Sequence, residues 1–224
     1  MAVVFFSVLD TACAKGPKES SAKETKNPKK ETTTMTLPEP QTTGGIPLMQ
    51  ALAARRSERD IATEKLTPQQ LSDLLWAAAG INREKNNLRT APSTRNWQEI
   101  DVYLAMEDGL YLYNPKNHAL TLVKKEDLRA QTGTQEFVKE VPLNLIYVAD
   151  MKRVTGNVDE KNQILYTAAD SAFMVQNVYL YCASNQLATV VRGAVERDPL
   201  AKAMGLDDTQ RIILTQSVGH PKTK

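Results

Sequence analysis

The stretch from residue 160 to 185 constrains the fold more than any other part of the chain. Ile164, Ala168, Ala172, Val175, Tyr179 and Cys182 recur at helical spacing on one face, and Leu165, Ala169, Phe173 and Leu180 line a second. A helix of that length runs roughly 40 Å at 1.5 Å per residue. Apolar residues on more than one face need cover on more than one side, so this helix belongs inside the protein or at a subunit interface. The 224 residues, 42% of them hydrophobic, suffice for one ordinary domain around it.

Other elements are marked by their ends. Thr67-Pro68-Gln69-Gln70 is a capping box with proline in the first turn. Leu71, Leu74, Leu75, Ala78 and Ala79 follow at helical spacing, and Gly80 closes the helix. Pro47 suits a first helical position before Leu48, Met49 and Leu52, an apolar stripe ending at Arg55-Arg56. Residues 100–106, 110–113 and 119–123 read as strands joined by the turns Glu107-Asp108-Gly109 and Asn114-Pro115-Lys116-Asn117. Leu143 to Ala149 reads as a central strand. A strand at 188–191, a helix at 198–204 and a last strand at 211–218 complete the chain. Helices mixed with a hairpin meander point to the α+β class.

The N-terminus stands apart. Residues 2–9 form an apolar run too short to span a bilayer as a mature helix, and Ala12-Cys13-Ala14 resembles a cleavage site. Residues 1–14 are therefore expected to be an export signal. They could also be a lipoprotein signal acylated at Cys13, although Asp10 stands where that pattern normally has leucine. Residues 15–45, rich in Lys, Glu, Thr, Ser and Pro, are expected to be a disordered spacer, because they cannot bury enough surface to offset ordering entropy. On this reading the protein is exported, periplasmic or membrane-anchored. The folded body is expected to span 46–224.

The net charge of +2 resides in this segment: residues 1–31 hold six lysines against Asp10, Glu19, Glu24 and Glu31, and the rest of the chain sums to zero. Nucleic acid is not an expected partner. Cys13 and Cys182 make no disulfide framework, and His118 and His220 lack spaced partners for a metal site or a hydrolytic triad.

Four polar clusters could carry chemistry. Arg55-Arg56-Ser57-Glu58-Arg59 offers three guanidiniums and a hydroxyl that could hold a phosphate, or simply ends a helix with favourable charge. Residues 90–98, Thr-Ala-Pro-Ser-Thr-Arg-Asn-Trp-Gln, form a loop able to hydrogen-bond a heterocycle, or an ordinary connection. Val191-Arg192-Gly193 follows a strand, where glycine lets backbone approach a ligand. His220 to Lys224 is a basic tail.

Taken in order and spacing, these clusters resemble the nitroreductase family of flavoproteins over the whole body. Arg55-Arg56-Ser57 with Arg59 is similar to the family's phosphate motif. Pro92-Ser93-Thr94-Arg95-Asn96 with Gln98 resembles its Pro-Ser-x-x-Asn-x-Gln loop, with Trp97 interposed. Leu75 to Gly80 and Asp108 to Tyr113 resemble the branch that includes SagB-type azoline dehydrogenases. Gln176-Asn177, Leu187 to Gly193 and Met204-Gly205-Leu206 continue the likeness.

The resemblance implies a nitroreductase-like fold: a mixed or antiparallel central sheet flanked by helices, a long buried helix, and an intertwined homodimer with two flavin mononucleotide (FMN) sites at its interface. It implies that Arg55, Arg56, Ser57 and Arg59 hold the phosphate end, with Lys222 or Lys224 closing the other side. Pro92, Ser93, Thr94, Asn96 and Gln98 would contact the ring from the neighbouring subunit. Gly193 would meet the N5 side of the flavin. Arg192 replaces the family's usual glutamate, so Arg192 or Arg95 could stabilise a reduced anionic ring. The implied activity is FMN-dependent oxidoreduction of a small molecule such as a nitroaromatic or quinone, with hydride transfer at N5. Azoline oxidation in a modified peptide, and flavin or heterocycle binding without turnover, are the alternatives.

Overall fold

A computed structural model describes residues 33 to 223. The export or lipoprotein signal, most of the spacer and Lys224 lie outside the described residues. In chain order the elements are β1 (Thr34–Thr36), α1 (Leu48–Ala54), α2 (Pro68–Ala79), β2 (Ile81–Arg83), β3 (Leu88–Arg89), β4 (Ile100–Met106), β5 (Gly109–Asn114), β6 (Ala119–Lys124), β7 (Leu143–Asp150), α3 (Glu160–Ser184), β8 (Ala188–Arg192), α4 (Arg197–Met204) and β9 (Gln210–Gly219). Seven strands make one sheet in the order β1-β6-β5-β4-β7-β9-β8, every pairing antiparallel. β2 and β3 form a separate small hairpin.

Both faces of the sheet are covered. On one, Leu104, Tyr147 and Ala149 pack with Leu74, Leu75 and Ala78 of α2 and with Met174 and Val178 of α3. On the other, Tyr103, Ala105, Ile146 and Val148 meet Leu128, Leu200 and Met204. Alternate residues of one strand thus enter two different cores, and β7 reads as a continuous apolar run from Leu145 to Ala149 for that reason.

Thr67 caps α2 as its sequence requires, its hydroxyl accepting from the Gln70 amide while the Gln70 side chain accepts from Thr67. Gly80 ends the helix, but at φ −66° rather than in a left-handed turn. Glycine is needed there because a Cβ would press on the Cα and side chain of Trp76.

The structure corrects the boundary of the spacer. β1 pairs with β6, the Leu37 amide donates to the His118 carbonyl at 3.2 Å, and Leu37 is buried in the main core. His118 fastens this segment. It joins Tyr113 through Nδ1 (2.9 Å) and Ser72 through Nε2 (2.7 Å), and the Ser72 hydroxyl donates to the Pro38 carbonyl (2.6 Å). The fold therefore starts by Thr33, because pairing with a distant strand orders residues whose own composition is too polar to do so. Leu37→Ala should cost about 2 to 3 kcal/mol and lower the melting temperature by roughly 4 to 10 °C. An unchanged thermal melt would show that the segment contributes nothing to the core.

The long helix buries Val175, Tyr179 and Cys182 of one apolar face, together with Met174 and Val178. Its buried residues include Thr167, Asp170 and Ser171, while Ile164, Leu165 and Phe173 are exposed. Among the described residues no helix is long and apolar enough to cross a membrane.

Candidate functional site

The end of α1 leads directly into the first basic cluster. The Arg55 guanidinium carbon stands 5.3 Å above the ring of Tyr179 on α3, a cation–π contact. The Ser57 Oγ lies 2.8 Å from the Tyr179 hydroxyl, which also accepts from the Val191 amide at 2.9 Å. The Glu58 amide donates to the Thr189 carbonyl, tying the segment to β8. The Glu58 carboxylate is turned inward on its own turn, accepting from the Asp60 and Arg59 amides and pairing with Arg56 at 3.4 Å. Those contacts, the Asp60 amide first, hold its pKa below the usual carboxylate range. Arg59 is exposed.

The C-terminal tail returns to the same place. Ile61 pairs with Pro221, the Ala62 amide donates to the His220 carbonyl, and the Lys222 amide donates to the Asp60 carbonyl, both at 2.8 Å. Lys222 is thereby level with Asp60, one residue from Arg59. Cationic residues from opposite ends of the sequence converge, together with an exposed hydroxyl. This donor set suits a phosphate monoester, whose oxygens only accept.

β8 runs from this cluster towards Gly193, which is exposed, with nothing within 4 Å of the place a Cβ would occupy. A flat ligand could approach its backbone without hindrance. Arg192 does not share that exposure. It is buried, donating to the Thr132 carbonyl (3.0 Å) and to Asn144 Oδ1 (2.8 Å), over the ring of Phe137 at 5.9 Å. Strand alternation is the reason: Thr189 meets Gln216 on the α3 side, so Arg192 points through the opposite face of the sheet. Burial lowers its pKa to about 10. The expectation that its guanidinium tunes a bound ring is corrected by this placement.

Residues 92–98 sit elsewhere on the molecule. Thr94 donates to Asp170 of α3 from both its amide (2.8 Å) and its hydroxyl (3.2 Å). Ser93 donates to Glu99 Oε2 at 3.1 Å and accepts from the Gln98 amide. Arg95, Asn96 and Gln98 all have left-handed φ near +50°, a strained run for residues other than glycine. Arg95 lies over the Trp97 ring at 5.7 Å, while Pro92, Ser93, Asn96 and Gln98 border a shallow cavity of about 190 Å³. Asp170 and Tyr179 are nine residues apart on α3, roughly 13 Å along its axis. Within one chain, the loop and the basic cluster do not meet.

Residues 52–220 match the model of the nitroreductase family. The chain belongs to the nitroreductase family. It is an oxidoreductase of the flavin-dependent kind that this family comprises. A crystal structure of a protein provisionally named a nitroreductase, from Ralstonia eutropha, is 44% identical with a TM-score of 0.81, covering 85% of this chain and 90% of that one. A protein from Methanocaldococcus jannaschii, also provisionally named a nitroreductase, is 30% identical over 159 residues, 66% of this chain and 79% of its own length. The NADPH:FMN oxidoreductase of Vibrio harveyi shares the fold at 20% identity and a TM-score of 0.59, over 79% of this chain and 69% of that one.

Against this nitroreductase frame, sequence reasoning missed Glu99, Asp170 and the bridging part of Tyr179. Tyr179 reads as one more apolar residue on α3, and no periodicity marks a hydroxyl that links two other elements. Asp170 on a largely apolar helix was the one available signal.

Proposed function

We propose that the protein binds FMN in a site completed by a second copy and passes reducing equivalents to a small oxidised organic molecule such as a nitroaromatic or quinone. The observation that carries this reading is the convergence of Arg55, Arg56, Ser57, Arg59 and Lys222 at the junction of α1, α3, β8 and the tail. Lys224, two residues further on, would add to the same charge. A phosphate dianion held there would direct the ring along β8 to the open backbone at Gly193. Bound flavin supplies the two-electron chemistry at N5, and the chain's part is to bind, orient and exclude water.

The second copy is needed for the ring side. Pro92, Ser93, Thr94, Asn96 and Gln98 are fixed too far along α3 to reach their own chain's phosphate cluster. Exposed Ile164, Leu165 and Phe173 on α3 offer an apolar surface for a homodimer that would bring them across. A groove at that junction would exclude much of the solvent around the ring.

The test is an absorbance spectrum of the full chain mixed with FMN and then desalted. Retained visible flavin bands, bleached by dithionite, are expected. Complete loss of flavin on desalting would overturn the reading.

A further inference from the structure

We propose that Tyr179 is a positioning residue that fixes Ser57 as a hydrogen-bond donor and thereby sets the preference of the site for a phosphate monoester. The proposal deepens the FMN reading and rests on it. A backbone N–H can only donate, so the Tyr179 oxygen accepts from Val191 at 2.9 Å. Tyr179 is only 5% exposed, and among the described residues its hydroxyl has one other neighbour, Ser57 Oγ at 2.8 Å. If Ser57 donated, the hydroxyl hydrogen of this largely buried tyrosine would have no acceptor among the described residues, an arrangement native interiors avoid. Tyr179 therefore donates, Ser57 accepts, and the hydrogen of the exposed Ser57 hydroxyl is left for a ligand.

A hydroxyl is ordinarily ambivalent, able to turn towards a donor or an acceptor. Ser57 has lost that choice before any ligand arrives, and a phosphate oxygen offers only acceptors. The same phenol ring lies under the Arg55 guanidinium at 5.3 Å. Its hydroxyl also ties down β8 at Val191, two residues before Gly193. One side chain thus presets the hydroxyl proton, the neighbouring cation and the strand that leads to the ring end.

The experiment compares the affinity of the full-length protein for FMN and for riboflavin, which is FMN without its phosphate, by quenching of flavin fluorescence. In Tyr179→Phe the ring and its contact with Arg55 remain, and only the hydroxyl is lost. FMN should then bind about 10-fold more weakly, which is 1.4 kcal/mol, while riboflavin changes by less than about 3-fold. Ser57→Ala should show the same selective loss, and the double variant should be no worse than either single. A structural defect would weaken both ligands alike, and that result for Tyr179→Phe would overturn the proposal. So would Ser57→Ala keeping the wild-type ratio of FMN to riboflavin affinity; as Ser57 is exposed, that arm holds even if the tyrosine variant folds poorly. A wild-type protein that does not prefer FMN over riboflavin would instead sink the phosphate-site reading itself.

Discussion

Replacing Leu165 and Phe173 together by glutamate should give a folded monomer that no longer retains flavin. Both residues lie on the outer side of α3, 59% and 46% exposed, next to Ile164 at 56%. Leu48, Met49 and Leu52 are exposed on α1, which packs against α3. Single exposed apolar residues are ordinary, but six large ones on two adjoining helices call for a partner. Each side chain buried there gains about 1.5 to 3 kcal/mol, so two carboxylates forced into the contact should weaken association at least about 1000-fold. The fold of the single chain should survive, because neither residue belongs to its core. Light scattering on a sizing column should show the mass halve, and desalting should strip the flavin. A variant that becomes monomeric yet holds FMN tightly would show that the site does not need residues 92–98 of a second copy.

A second large effect is expected with pH. Glu99 is buried and accepts from Ser93 with one carboxyl oxygen, while its Oε1 has no partner among the described residues. Burial first, then repulsion from the nearby Asp170, pushes its pKa up to about 7 from an ordinary 4.5. The folded protein thus holds a proton that the unfolded chain releases. The stabilisation is complete below about pH 4.5 and disappears as pH rises through about 7. By linkage it is on the order of 2 to 3 kcal/mol. Glu99→Gln, neutral at every pH, should therefore match the wild type at pH 5 and melt roughly 4 to 12 °C higher at pH 8. Parallel melting curves for the two proteins across that range would dismiss a protonated Glu99. The consequence reaches the site, because Glu99 and Asp170 together anchor Ser93 and Thr94.

Much of this architecture is legible in the sequence where a local rule decides it. The capping box at Thr67 to Gln70 fixes the start of α2, and the turns at Asp108 and Asn114 fix the meander of β4, β5 and β6. What remained hidden depends on distant partners. Thr34-Met35-Thr36 has no strand signal of its own, and it becomes a strand because β6 offers an open edge. In α3, apolar residues on more than one face leave open which side turns into the chain's own core. Thr167, Asp170 and Ser171 can be buried because each finds hydrogen bonds, and Ile164, Leu165 and Phe173 are left on the exposed side. The phosphate cluster was readable as a motif. Arg192 was not, because a strand buried on both faces gives no sign of which parity points where.

The short first strand has a consequence of its own. The opposite edge of the sheet is β8, which is covered on its flank by Glu58 through its bond to Thr189. β6 depends on three residues, Thr34 to Thr36, for the same protection. A version of the protein trimmed to begin at Ile46 would present the free amides and carbonyls of β6 to solvent. Such a margin templates the addition of a strand from another molecule. The N-terminal strand thus serves as a guard against self-association into aggregates, whatever the segment before it does.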